Sequence, residues 1–118
     1  MNHFSCTDII DIKSHEISDD AHLRFYVATG NTQCGTIDFI SENINFYISC
    51  KRNVFKGMVS IKNIRVEYKP GRLVFILNDK TNLTFNCSMQ LFEVMDAHIQ
   101  RYKNSDHNRN IRDAFYND

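Results

Sequence analysis

From His22 onward the chain repeats one pattern. Apolar side chains take every second position in short runs, and polar or turn-forming breaks separate the runs. A period of two puts successive apolar residues on one face of a strand, so each run reads as a half-buried β-strand. Leu23, Phe25 and Val27 alternate with Arg24, Tyr26 and Ala28, and Ile37 and Phe39 share a face of Gln33–Ile40. Ile44, Phe46, Ile48 and Cys50 oppose Asn45, Tyr47 and Ser49, and Ile64, Val66 and Tyr68 oppose Arg65, Glu67 and Lys69. Gly30-Asn31 predicts a hairpin turn. In Lys69-Pro70-Gly71-Arg72, Pro presets φ at the second turn position and Gly accepts positive φ at the third, which predicts a type II turn.

The remaining runs are less regular. Val54–Ile61 is apolar enough for a strand, with Gly57 as a candidate bulge. Lys62-Asn63 reads as a tight turn. Leu73–Leu77 is apolar on both faces, which predicts a central strand covered on both sides. Asn78–Thr81 turns the chain, and Leu83 and Phe85 point inward from a short last strand. Near the start, Phe4–Ile12 reads as a strand and the polar, acidic Lys13–Asp20 as a loop.

At residue 88 the apolar spacing changes to three and four. Phe92, Met95, Ile99 and Tyr102 form one stripe, flanked by Leu91 and His98, over a helix predicted at Ser88–Tyr102. Ser88 suits the N-cap. Glu93 and Asp96 precede Arg101 and Lys103, the order that complements the helix dipole. Burying the four stripe residues would contribute on the order of 6–10 kcal/mol before entropy costs. A helix so striped needs a surface to lie on, and the sheet is the one available.

The expected fold is therefore α+β: an antiparallel sheet or bent barrel of about six to eight short strands, packed against one C-terminal amphipathic helix. Residues 1–104 form the expected domain, and 105–118 a polar tail or short docking helix at Ile111–Phe115. The order of elements, strands closed by a last helix, resembles the architecture of pleckstrin-homology domains. That resemblance implies a bent barrel plugged at one end. No residue motif carries it, and an open sheet with the helix across one face fits equally.

Composition bounds the function. With 118 residues there is room for one core. The formal net charge is zero, yet residues 1–50 hold seven acids and two bases, and residues 51–118 hold twelve bases and seven acids. A split of this kind can produce oppositely charged surfaces that steer partners. Cys6, Cys34, Cys50 and Cys87 lack the density of a disulfide scaffold and form no C-x-x-C pair. With no signal-peptide pattern in Met1–Asp11 and no run long enough to span a membrane, a cytoplasmic location is expected.

Chemical motifs are sparse. His3 and Cys6 make one H-x-x-C pair, too little for a zinc site, so no metal and no cofactor is expected. The glycines are isolated and cannot cradle a phosphate, and no nucleophile elbow is present. An enzyme reading would rest on His22 with Asp19 or Asp20, or on a cysteine. A nucleic-acid or anionic-surface reading would rest on the basic stretch Lys51, Arg52, Lys56, Lys62, Arg65, Lys69 and Arg72. The favoured expectation is a small protein-binding module, an inhibitor or immunity-type protein that occludes a partner such as a basic, nuclease-like toxin. Its contact residues would be Asp8, Asp11, Glu16, Asp19 and Asp20, carboxylates interspersed with isoleucines.

Overall fold

A computed structural model describes residues 10–19, 21–50, 53–78 and 81–103. Eight strands run in chain order: β1 (Asp11–Asp19), β2 (His22–Thr29), β3 (Thr32–Ile40), β4 (Asn43–Cys50), β5 (Asn53–Ser60), β6 (Arg65–Lys69), β7 (Gly71–Asn78) and β8 (Thr81–Cys87). A 3-10 turn, Ile61–Asn63, joins β5 to β6, and helix α1 spans Met89–Lys103. All eight strands belong to one sheet in the order β5-β4-β3-β2-β1-β8-β7-β6. Two antiparallel meanders, β1–β5 and β6–β8, thus meet at the β1/β8 seam.

That seam corrects the expectation of a purely antiparallel sheet, because β1 and β8 run parallel, with Asp11 opposite Asn86. The sheet is mixed. The Asn86 amide donates to the Ile10 carbonyl at 2.9 Å, and its side-chain Nδ2 donates to Asp11 Oδ1 at 2.9 Å.

The sheet curls around its own inner face. Phe46 of β4 and Phe75 of β7 are five places apart in the strand order, yet their rings meet edge to face with centroids 5.3 Å apart. Phe25, Phe39 and Phe85 extend the same aromatic core, joined by Ile37, Ile44, Ile48, Leu73 and Leu83, all fully or almost fully buried. Among the described residues β5 and β6 do not pair with each other, so hydrogen bonds do not close the curl into a barrel.

Helix α1 starts where the sequence places it. The Ser88 hydroxyl accepts from the Leu91 amide at 3.2 Å, and the Ser88 carbonyl accepts from Phe92 at 3.0 Å. Met95 and Ile99 are buried, while Phe92 stacks on Tyr68 of β6 with ring centroids 4.1 Å apart and planes 4° from parallel. His98, read as a flank of the stripe, is itself buried. Its Nε2 lies 2.9 Å from the Ser41 carbonyl, which can only accept, so the proton sits on Nε2. Burial lowers the His98 pKa, the Ser41 bond opposes that, and nearby Arg101 lowers it further. Lys103 donates to the Ile64 carbonyl at 3.1 Å. The helix is therefore bound to both meanders.

Several local expectations change. Asp11–Asp19 is strand β1, although Lys13–Asp20 reads as a loop. Its residues beyond Ile12 are exposed, so no apolar period marks it, and beyond its first residue antiparallel pairing with β2 defines it. Of the expected strand Phe4–Ile12, residues 4–9 lie outside the described residues, as does the segment 105–118. β7 is second from an edge rather than central: Leu73 and Phe75 face the core, while Val74 and Ile76 on the other face are half-buried. Gly57 makes no bulge, since β4 and β5 keep one register from Asn43↔Ser60 to Cys50↔Asn53. Lys62-Asn63 completes the 3-10 turn, capped by the Ser60 hydroxyl. Pro70-Gly71 turns as expected, with Gly71 at φ 87.

Candidate interaction face

The side of the β1–β5 meander turned away from the core carries the densest arrangement of functional groups. A register change creates it. The hairpin leaves Gly30-Asn31 with Thr29 opposite Thr32 and Ala28 opposite Gln33, but Val27 then pairs with Gly35, which makes Cys34 the extra residue of a bulge. Continued without the bulge, that register would set Phe25 opposite Thr36 and leave the two apolar faces out of phase. With it, Phe25 pairs with Ile37 on the core side and Arg24 with Asp38 on the outer side. The bulge requires glycine at 35. Its φ is 157°, and a Cβ there would lie 2.0 Å from the Tyr47 carbonyl oxygen, a backbone atom.

Asp38 is the centre of the face. Only 6 % exposed, it accepts from Arg24 Nε at 2.6 Å and more loosely from Nη2 at 3.4 Å. His22 Nε2 lies 3.2 Å from the same Oδ1, and the Thr36 hydroxyl 3.5 Å from Oδ2. The hydrogen bond to Asp38, then that to Tyr26, and the Asp38 charge raise the Arg24 pKa beyond its already high value. Next to it, the Tyr26 hydroxyl donates to Glu16 at 2.6 Å, which raises the Tyr26 pKa by stabilising its protonated form. Lys56 sits 5.2 Å from the Tyr47 ring centroid, within cation–π range. Ile40, Tyr47, Val54 and Met58 surround these polar groups and are exposed. The face thus combines fixed charges with accessible apolar side chains.

The expected acidic contact residues are divided. Asp8 and Asp20 lie outside the described residues. Asp11 holds the seam through Asn86 and pairs with Lys13 at 3.6 Å, and Asp19 accepts from the Ala21 amide at 2.8 Å. These two serve local structure. Glu16 alone belongs to the outer face, beside Arg24. Of the isoleucines among them, Ile10 and Ile12 are core residues and Ile17 is exposed.

Among the described residues the expected basic side chains Lys56, Arg65, Lys69 and Arg72 stand on three strands. Lys51 and Arg52 lie outside the described residues. Lys56 stands on β5, at one end of the strand order. Arg65 and Lys69 stand on β6 at the other end, with Arg72 next to them on β7. Arg65 is paired with Glu67 at 3.0 Å, while Lys69 and Arg72 face each other across the Pro70-Gly71 turn. The charge difference between the two sequence halves also holds among the described residues. The described residues of 10–50 carry five acids and two bases, and those of 53–103 carry seven bases and three acids. Of those bases Arg65, Lys69 and Arg72 stand on β6 and β7 and Lys56 on β5, while Arg101 and Lys103 belong to the helix and Lys62 lies 3.9 Å from Glu42.

His22 pairs with Asp38 rather than with Asp19. That partner escapes sequence reading because it depends on the register shift at Cys34; the demand that Phe25 meet an apolar partner is the signal that points to it. Burial pushes the Cys34 thiol up and the Cys87 thiol up to about 11, the reverse of an activated nucleophile. His3 and Cys6 lie outside the described residues, among which no group of three metal-ligating side chains assembles. Two open depressions flank the β2–β3 turn. One of about 600 Å³ is lined by Lys13, Tyr26 and Gln33, the other of about 670 Å³ by Cys34, Tyr47 and Ser49. Neither includes His22 or Asp38. No helix of the described residues is long and apolar enough to cross a membrane. Compared with protein families, curated proteins and solved structures, the chain matches none.

Proposed function

We propose that the chain is a protein-binding module whose contact surface is the outer face of β2–β4. The observation that supports this is the Arg24–Asp38 pair, held by His22 and Thr36 and flanked by exposed Ile40 and Tyr47. A charged pair fixed before binding loses little freedom when a partner covers it, and an exposed tyrosine and isoleucine offer apolar anchors beside it. The twisted sheet beneath gives the face rigidity. The excess of acids in this half of the sheet favours a partner with a basic surface. An inhibitor or immunity-type protein that occludes the active surface of a nuclease-like toxin fits those terms.

The test is co-purification of the tagged full chain from its source cells, alongside Tyr47→Ala and Ile40→Asp variants that retain the parental circular dichroism. The expected result is a stoichiometric partner with a basic isoelectric point that both variants lose, at a cost of about 2 kcal/mol or more for the tyrosine. Identical capture by all three proteins would remove this face from consideration, and a consistently acidic partner would overturn the charge argument.

A further inference from the structure

Every sheet that is not closed has two edges, and soluble proteins ordinarily protect both. Here β6 carries the expected protection. It has five residues, its outward side chains are Arg65, Glu67 and Lys69, and Pro70 follows at once. β5 has none of it. It runs for eight residues in unbroken register with β4, contains no proline or bulge, and holds one charged side chain, Lys56. Val54 and Met58 on its outer face are 54 % and 62 % exposed. Phe55 and Val59 on its inner face border the core half-buried. Among the described residues its backbone pairs with β4 alone.

We propose that β5 pairs antiparallel with β5 of a second copy of this chain, about a two-fold axis through Gly57. The sequence of the strand is self-complementary in that register. Lys56 of each copy faces Met58 of the other, Phe55 faces Val59, and Val54 faces Ser60, so the only charge never meets its own image. An axis one residue earlier would set Lys56 directly against Lys56. At Gly57 the absence of side chains lets the two strands cross the axis without a clash, and the Phe55 ring of each chain already covers its own glycine, 3.6 Å from where a Cβ would stand. Both faces of the joined strands then match: the inner residues continue the core, and the outer residues cover one another. An eight-residue edge runs about 27 Å. Backbone pairing plus two rows of side chains reaches only the lower end of the ~1,000 Å² that a specific interface needs. The dimer therefore dissociates on dilution.

Sedimentation velocity and light scattering on the full chain, over a concentration series from about 1 µM to 1 mM, test this together with three variants. The wild type is expected to pass from 13.9 kDa to twice that mass. Met58→Lys sets a second ammonium group against Lys56 of the other copy, twice per dimer, and should remain monomeric with an unchanged circular dichroism spectrum and melting temperature. Lys56→Glu with Met58→Lys restores opposite charges across the axis and should recover the dimer. Arg65→Ala, at the opposite edge, should leave it unaffected. A wild type that stays monomeric at 1 mM overturns the proposal, including the case in which hydrogen exchange shows β5 protected in the monomer by another segment of the same chain. A Met58→Lys protein that still dimerises assigns the contact to another surface. A double variant that fails to recover refutes the Gly57-centred register.

Discussion

β5 and β6 end the same sheet in opposite ways. β6 is short, charged on its outer side, and fastened from within. The Tyr68 hydroxyl donates to the Cys87 carbonyl at 3.0 Å and accepts from the Gly71 amide at 3.2 Å, while the Tyr68 ring stacks on Phe92 of the helix. β5 is long, apolar and regular, and rests on β4 through unbroken pairing, the edge-to-face contact of Phe55 with Phe46 and Lys56 over the Tyr47 ring. The contrast shows that edge protection in this fold is local. Each meander supports its own edge strand, and the helix stacks directly on β6.

The largest expected effect is on the β5 side. Gly35→Ala drives a methyl group into the Tyr47 carbonyl and forbids the backbone conformation of the bulge. Chemical denaturation should show a loss of about 3 kcal/mol or more, with amides of β3 to β5 losing protection first. If Gly35→Ala unfolds no more easily than the wild type, the bulge does not hold the register of the first meander. On the β6 side, Tyr68→Phe removes two hydrogen bonds and keeps the stacked ring, which should cost about 1–2 kcal/mol. Tyr68→Ala removes the ring as well and should cost about 3 kcal/mol. Hydrogen exchange should place both losses in β6 and the start of α1. Equal loss at β5 would mean that the edges are coupled and would undo the comparison.

A smaller effect ties the two halves together. His98 reaches from a helix fastened to β6 across to Ser41, in the turn between β3 and β4. Its pKa is lowered in the folded state, so the unfolded chain binds the proton more readily below its ordinary value near 6.5. Stability is thus fully present above that pH and declines as the pH falls through and below it. Urea midpoints measured from pH 8 to pH 5 should fall on the acid side, and His98→Gln should flatten that part of the profile. A wild-type profile level down to pH 5 would refute the role of His98.

The sequence makes the strands with one wet and one dry face legible almost to the residue. His22–Thr29 is β2 as expected, and Ser88 caps the helix as expected. β1 is hidden because beyond Ile12 it is exposed on both faces, and a strand exposed in that way has no apolar period to display. β7 misleads for the opposite reason: Val74 and Ile76 on its outer face are half-buried in a strand second from an edge, so apolar residues on both faces do not mean a central place. The interaction face is less legible than either. Arg24 and Asp38 are fourteen residues apart and meet only because one extra residue at Cys34 changes the register.

The seam between β1 and β8 also has a kinetic consequence. Each meander is built from consecutive hairpins, contacts that a chain can find quickly because little loop must close. The bond between Asn86 and Asp11 spans seventy-five residues, and loop closure over that length gains its reward only after both meanders exist. The expected folding order is two hairpin stacks first and their zippering last. Substitutions at Asn86 should then speed unfolding while leaving the folding rate nearly unchanged. The chain would cross its rate-limiting barrier with its two halves formed and its two ends still apart.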